Sequence, residues 1–247
     1  MRKESKDGSV NETMILTALN NHKYIDLDNH WKKHIKRMFK HIRDEDVIKA
    51  TYYPCKDAKP DLIVTVNSRS VYLSIKSGHS PSMHYEPLKT FYDFLREQGV
   101  SERIIKIISF YHYGYSLKPG VTPYKLTRDE IIEKYSKEIK EANEYFLSHQ
   151  EIVREIIYRS IIRGRMKRDL IDYLYYGNSS KGYLLSISDI MRLIFKDRNE
   201  ICSSIHFYGL TYVSCARSNS EKQHHLRINW PLLCKYFYDE EFMKKYG

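Results

Sequence analysis

The chain has 247 residues, with 41 lysines and arginines against 31 aspartates and glutamates, which gives a formal net charge of +10 at pH 7. Hydrophobic residues make up 42% and aromatic residues 13%, so the composition excludes an intrinsically disordered chain. No apolar run approaches the roughly 20 residues of a membrane-spanning helix, and the charged start of the chain lacks the apolar stretch of a secretory signal. We therefore expect a soluble, cytoplasmic globular protein without membrane contact.

The cysteines do not predict a metal site. Cys55, Cys202, Cys215 and Cys234 are scattered, and no two of them form a C-x-x-C pair. We therefore expect no structural zinc site. We expect the cysteines to be reduced thiols in a reducing compartment.

Two helices are predicted in the first 43 residues. Residues 11–20 have apolar side chains at helical spacing, with Asn11 as the N-cap. Residues 29–43 form a second, basic helix, in which an apolar stripe faces inward at Trp31, Ile35, Met38 and Ile42. The basic residues of this helix are candidates for nucleic-acid contacts: Lys32, Lys33, Lys36, Arg37 and Lys40.

The basic charge is concentrated in two stretches, residues 29–43 and residues 154–168. A single basic helix is often a solvated surface. Two such stretches in a chain with a surplus of ten positive charges favour a polyanionic partner, because lysine and arginine release the counterions of phosphates on binding.

Two β-rich runs, 61–66 and 71–76, follow Pro60 and are joined by residues 67–70. Paired as a hairpin closing at Ser68 and Arg69, they place Asp61 opposite Lys76. Side chains alternate along strands, so one face of this hairpin is apolar and the other carries Asp61, Ser74 and Lys76. The apolar face consists of Leu62, Val64, Val66, Val71, Leu73 and Ile75. An ion pair is the simplest reading of Asp61 and Lys76.

The rest of the chain predicts a mixed α/β protein. We expect a helix at 87–98, a buried strand at 104–111, a long helical region at 127–158 and tyrosine-rich strands at 173–176 and 207–213. A change of composition near residue 125 predicts a core domain of residues 1–125. Residues 126–247 would then form a helical segment and a smaller mixed α/β module suited to DNA recognition.

The residues around the hairpin resemble the PD-(D/E)xK nuclease superfamily, the restriction-endonuclease-like fold. The resemblance rests on Lys59-Pro60-Asp61, followed after twelve residues by Ser74-Ile75-Lys76, and covers residues 12–86. It implies a mixed sheet flanked by helices. It also implies that Asp61 holds Mg²⁺ and that Lys76 helps to position or activate the attacking water.

Ser74 departs from the family pattern, because an acidic residue is expected two positions before the lysine. One branch of the restriction enzymes has a similar Ser-x-Lys and takes its carboxylate from the following helix, which here points to Glu86. Glu12, on the first predicted helix, fits the glutamate that often completes the site. Each glutamate also has a simple alternative reading, as a charge in the first turn of a helix.

We therefore predict a Mg²⁺-dependent DNA endonuclease of type II restriction-like character, with Mn²⁺ able to replace Mg²⁺. The predicted metal ligands are Asp61, Glu86 and Glu12, and Lys76 and Ser74 complete the catalytic set. RNA as a substrate and a homodimer as the assembly stay open. The alternatives are a catalytically inactive nuclease-fold protein that binds nucleic acid, and a structural protein in which Asp61 and Lys76 form an ion pair.

Overall fold

The computed structural model describes residues 4–55, 58–79, 81–114, 126–164, 170–198, 204–216 and 221–247. Its helices are α1 (Glu4–Leu19), α2 (Asn29–Met38), α3 (Leu88–Glu97), α4 (Glu102–Tyr113), α5 (Arg128–Ser148), α6 (Gln150–Ile157), α7 (Ile187–Lys196), α8 (Leu232–Tyr236) and α9 (Glu240–Tyr246). Its strands are β1 (His22–Lys23), β2 (Val47–Tyr52), β3 (Leu62–Val66), β4 (Arg69–Lys76), β5 (Ser82–Pro87), β6 (Tyr173–Gly177), β7 (Gly182–Ser186), β8 (His206–Phe207), β9 (Leu210–Ser214) and β10 (His225–Asn229).

The chain forms two compact units, each built from separate stretches of sequence. Unit 1 contains Met1–Pro81, Tyr158–Arg192 and Leu232–Gly247, and unit 2 contains Ser82–Ile157 and Leu193–Pro231. This grouping differs from the predicted division at residue 125, a position that lies outside the described residues. The difference arises because β4 pairs with β6, about a hundred residues later, so that residues from both sides of the predicted boundary share one sheet.

Unit 1 is built on a six-stranded mixed sheet with the order β1-β2-β3-β4-β6-β7. β4 and β6 run parallel, and every other neighbouring pair is antiparallel. Helices α1 and α2 contribute to its apolar core through Ile15, Leu19, Trp31, Ile35 and Met38. Because the same core buries the apolar face of β3 and β4, the first helix and the central hairpin are fixed relative to each other.

The predicted apolar face of the β3–β4 hairpin is confirmed, but its predicted register is wrong by two residues. Leu62 pairs with Leu73 and Val66 with Arg69, so the loop consists of Asn67 and Ser68. Asn67 adopts a left-handed conformation with φ of 54°, which asparagine tolerates better than most residues. A shift of two residues keeps every side chain on its predicted face, and it aligns Asp61 with Ser74 instead of Lys76.

Helix α1 begins seven residues before the predicted start, so the prediction of Asn11 as its N-cap is wrong. Asn11 lies inside the helix, and its side-chain amide donates a hydrogen bond to the carbonyl of Gly177, 2.9 Å away. The prediction relied on an apolar stripe that starts near Met14. The first turns of the helix are polar and carry no such stripe, so the sequence pattern did not reveal them.

The basic helix is confirmed as α2, although it ends at Met38 and not at residue 43. Asp28 caps it by accepting a hydrogen bond from the backbone N–H of Trp31, 2.7 Å away. Trp31, Ile35 and Met38 are buried as predicted. Residues 165–168 of the second basic stretch lie outside the described residues.

Unit 2 contains a four-stranded antiparallel sheet with the order β5-β10-β9-β8. One face of this sheet is buried, with Tyr212, Leu226 and Ile228 at 1% exposure or less. The predicted strand at 104–111 is wrong, because these residues form helix α4. Its apolar residues occur almost without a break, and such a run fits a buried strand and a buried helix equally well.

The other predicted elements are confirmed with small changes. The helix predicted at 87–98 is α3, and the helical region 127–158 becomes α5 and α6, separated at His149. The strand predicted at 173–176 is β6, and the run 207–213 is a hairpin of β8 and β9. Among the described residues, no helix is long and apolar enough to cross a membrane.

Candidate active site

Asp61 precedes β3, and the end of β4 holds its carboxylate. Oδ2 of Asp61 accepts hydrogen bonds from the backbone N–H of Ile75 at 2.6 Å and from the hydroxyl of Ser74 at 3.0 Å. The ammonium of Lys76 is 3.5 Å from the same oxygen. Two hydrogen bonds and one ion pair thus fix one carboxylate oxygen, while Oδ1 accepts no hydrogen bond from the described residues and is free to bind a cation.

Lys76 is the last residue of β4, and its side chain is about one quarter exposed. Its ammonium donates a hydrogen bond to the carbonyl of Ile75, 2.9 Å away, in addition to its contact with Asp61. The prediction that Asp61, Ser74 and Lys76 share one face of the sheet is therefore confirmed. The residue aligned with Asp61 is Ser74, and not Lys76 as predicted.

Glu12 lies on α1 beside this pair and is half-buried. It stands three residues before Ile15 and seven before Leu19, so helical periodicity places it at the edge of the buried face of α1. Burial, and then the negative charge of Asp61, raise the pKa of the Glu12 carboxyl, whereas Lys76 acts in the opposite direction. The structure thus brings together Asp61 and Glu12, two of the three carboxylates that the sequence predicted for this site.

Ser74 stands where the family pattern has an acid, and its buried hydroxyl orients Asp61. If this site hydrolyses DNA as the sequence predicts, Ser74→Ala should slow cleavage of DNA by about 10- to 100-fold, because a hydrogen bond to a charged group contributes roughly 1.5 to 3 kcal/mol. Single-turnover rates of both proteins measure this loss, and melting curves check that the variant is folded. An unchanged rate would contradict an orienting role for Ser74.

Sequence reasoning missed two residues that position this site, Tyr176 and Gly177. Tyr176 pairs with Lys76 across the parallel β4–β6 ladder, and its hydroxyl donates to the carbonyl of Gly78, 2.5 Å away, in the loop after Lys76. Gly177 has φ of 143°, and a Cβ there would collide with the backbone of Lys181. Its carbonyl accepts the hydrogen bond from Asn11, the neighbour of Glu12. The tyrosine-rich composition of β6 gave no sign of these roles.

Glu86 lies in unit 2, on β5, two residues before α3 begins. Its carboxylate is fully buried and accepts a hydrogen bond from Nε2 of His84, 2.9 Å away. It therefore does not lie in the first turn of a helix, and Pro87 occupies the N-cap position. Its role as a metal ligand stays a prediction.

The described residues contain no group of three or more histidine, cysteine, aspartate or glutamate side chains placed to hold a metal ion. The donor set of unit 1 is smaller and consists of Asp61 and Glu12, whose negative charges repel each other. One or two carboxylates, completed by water and substrate phosphate, are the usual protein ligands of Mg²⁺. The residues present therefore fit Mg²⁺ better than a cation that requires a closed protein cage.

Two of the five basic residues predicted to bind nucleic acid have partners inside unit 1. Arg37 donates to the carbonyl of Leu184 and forms an ion pair with Asp189, both at distances below 3 Å. Lys33 donates to the carbonyl of Lys244, 3.2 Å away. The remaining three lysines have no side-chain partner among the described residues: Lys32, Lys36 and Lys40.

The comparisons with known proteins agree with this architecture at the level of the fold. The chain is similar to restriction endonuclease MspI, solved in complex with its cognate DNA, with a TM-score of 0.60 and 12% sequence identity over 91% of this chain and 89% of the other. No protein-family model and no curated protein matches the sequence.

The chain has a restriction-endonuclease-like fold. The predicted fold class, a mixed sheet flanked by helices, is thereby confirmed. A likeness at 12% identity concerns the backbone arrangement alone. The chemistry of the site therefore has to be argued from the residues around Asp61 themselves.

Proposed function

We propose that this protein is a Mg²⁺-dependent endonuclease that hydrolyses phosphodiester bonds in DNA. The observation that carries the proposal is the arrangement around Asp61, in which Ser74, Ile75 and Lys76 fix one carboxylate oxygen and leave the other free. The fold supports it, because this architecture is that of a DNA-cutting enzyme. Mn²⁺ is expected to replace Mg²⁺.

Asp61 and Glu12 would hold the cation. When bound, Mg²⁺ supplies positive charge that stabilises the transferring phosphate and lowers the pKa of a coordinated water. Ser74 keeps the Asp61 carboxylate in one orientation, and Glu12 contributes the second negative charge from α1. Lys76 holds a further positive charge beside Asp61, where it attracts the scissile phosphate.

Glu86 is kept as a third proposed ligand, and its burial determines how it has to be tested. Glu86→Ala would remove the carboxylate oxygen that His84 contacts in a buried position, so a loss of activity in that variant has two explanations. Glu86→Gln preserves the size of the side chain and an oxygen for His84. If Glu86 binds the cation, Glu86→Gln loses cleavage as completely as Asp61→Asn at an unchanged Tm. Retained cleavage removes Glu86 from the ligand set.

The decisive experiment is cleavage of supercoiled plasmid and of labelled duplex, single-stranded DNA and RNA, each with Mg²⁺ and with EDTA. We expect nicking or linearisation of DNA in Mg²⁺ and none in EDTA. Cleavage of RNA alone would change the substrate class. Binding of DNA without cleavage at any tested concentration of Mg²⁺ or Mn²⁺ would favour the alternative, an inactive nuclease-fold protein that binds nucleic acid.

The charge distribution supports a phosphate-binding role for unit 1. The sequence of unit 1 has 25 lysines and arginines against 16 aspartates and glutamates, whereas unit 2 has 16 against 15. Most of the basic surplus therefore lies in the unit that contains Asp61. Lys32 and Lys36 of helix α2, and Lys40 shortly after it, belong to this unit.

Changing Lys32, Lys36 and Lys40 together to glutamine is expected to weaken DNA binding and to reduce its salt dependence. Each lost phosphate contact removes roughly 0.9 from the slope of log affinity against log salt concentration, so the slope should fall by up to about 3. Fluorescence anisotropy at several salt concentrations measures it. The matched control changes three exposed lysines of unit 2, Lys106, Lys134 and Lys137. If the control lost as much DNA affinity and salt dependence, the effect of the α2 lysines would be explained by net charge alone.

A further inference from the structure

The unit 2 sheet has an exposed face that the proposed catalytic residues do not explain. Tyr85 on β5, Val213 on β9, and His225 and Arg227 on β10 define this outer face. β10 lies between β5 and β9, and Arg227 is aligned with Tyr85 on one side and Val213 on the other. Arg227 thus occupies the centre of the outer face.

The outer face differs from the rest of the unit 2 surface in its aromatic exposure. Tyr85 is 42% exposed, and no other large hydrophobic residue in the described part of unit 2 is exposed. Its ring stacks on the imidazole of His225, with centroids 4.8 Å apart and planes within 5° of parallel. This stack holds the ring of Tyr85 in one orientation at the surface. Contact of this ring with a ligand would therefore cost little further side-chain entropy.

The guanidinium of Arg227 is exposed and has no hydrogen-bond or ion-pair partner among the described residues. Two other arginines of unit 2 are neutralised by carboxylates, since Arg96 pairs with Glu102 and Arg103 with Glu141. The described strands of this sheet contain one acidic residue, Glu86, and it lies on the opposite, buried face. The outer face therefore presents a positive charge that no carboxylate of the sheet offsets.

The shape and chemistry of this face fit the major groove of DNA. Two strand spacings amount to roughly 10 Å, close to the groove width of about 12 Å, which admits a β-ribbon. Arginine is the side chain that most often reads guanine, because its two parallel N–H groups match O6 and N7. An exposed aromatic ring beside it adds an apolar contact for a thymine methyl group.

We propose that the outer face of the unit 2 sheet reads the sequence of duplex DNA, with Arg227 contacting a guanine. The inference rests on the proposed function in one respect, the choice of DNA as the partner. It adds a specificity-determining residue that the arrangement around Asp61 does not provide.

The test is selection of a random duplex library by binding in EDTA, which makes the result independent of cleavage. The wild-type protein is expected to enrich a motif with guanine at a fixed position. Arg227→Ala should lose that preference by about 5- to 150-fold, the discrimination of one bidentate contact, while still binding unrelated DNA. Arg198→Ala is the matched control, since Arg198 is an exposed arginine of unit 2 outside this sheet. It should enrich the wild-type motif.

The outcomes separate the reading surface from the nuclease activity. The proposed role of the outer face in sequence recognition would be refuted if Arg227→Ala enriched the same motif as the wild type, or if the wild type enriched no motif. Either result would count even if plasmid is cleaved. An enriched motif without cleavage would support the reading surface and count against the nuclease. Tyr85→Ala should weaken binding to the selected motif more than Tyr85→Phe does, because phenylalanine keeps the stacked ring.

Discussion

Replacing Asp61 with asparagine is expected to reduce Mg²⁺-dependent cleavage by at least about a hundredfold while leaving DNA affinity nearly unchanged. Asparagine keeps an oxygen for the hydrogen bonds from Ser74 and Ile75, so the local geometry survives. It removes the negative charge that the cation requires. Loss of a single preorganised electrostatic contact at a reacting phosphate typically costs this much.

The accompanying variant is Lys76→Gln, for which we expect a loss of about 100- to 1000-fold in the single-turnover rate. Lys49→Gln is its matched control, because Lys49 is an exposed lysine on β2 of the same sheet. Gel shifts in EDTA compare DNA affinity, and melting curves compare stability. Wild-type cleavage by Asp61→Asn would refute the proposed site. A drop in Lys49→Gln as large as that in Lys76→Gln would attribute the effect to overall charge.

Glu12→Gln is expected to raise the Tm of the metal-free protein at pH 7 and to abolish cleavage. Burial and the charge of Asp61 raise the pKa of Glu12 in the folded state, so its charged form lowers the free energy of unfolding. This cost is absent below the pKa of the unfolded chain and grows as the pH rises through the folded pKa. The gain in Tm should therefore shrink as the pH is lowered towards about 4.

Metal binding should reverse the ranking of the two proteins. Mg²⁺ binds the folded state of the wild type and should raise its Tm with concentration, whereas Glu12→Gln should respond weakly or not at all. The wild-type response should also weaken at lower pH, because a proton competes with the cation for Glu12. Differential scanning fluorimetry across a Mg²⁺ series at several pH values measures both effects. Equal stabilisation of both proteins by Mg²⁺ would remove Glu12 from the ligand set.

The sequence by itself determined the parts of this site that depend on local periodicity. Strict alternation placed Asp61, Ser74 and Lys76 on one face of a hairpin, and any shift by an even number of residues preserves that result. Helical spacing likewise placed Glu12 at the edge of the face that carries Ile15 and Leu19. Side-chain direction in strands and helices follows from backbone geometry alone.

Only the tertiary structure decided the features that depend on long-range pairing and burial. The left-handed conformation of Asn67 set the hairpin register, and the parallel ladder between β4 and β6 brought Tyr176 beside Lys76. The apolar run at 104–111 forms a helix, and the sequence did not decide this because such a run fits a buried strand and a buried helix equally well. The outer face around Arg227 joins β5, β9 and β10, strands more than a hundred residues apart at their extremes. No local pattern contains such neighbours, since cross-strand contacts form only when distant segments share one sheet.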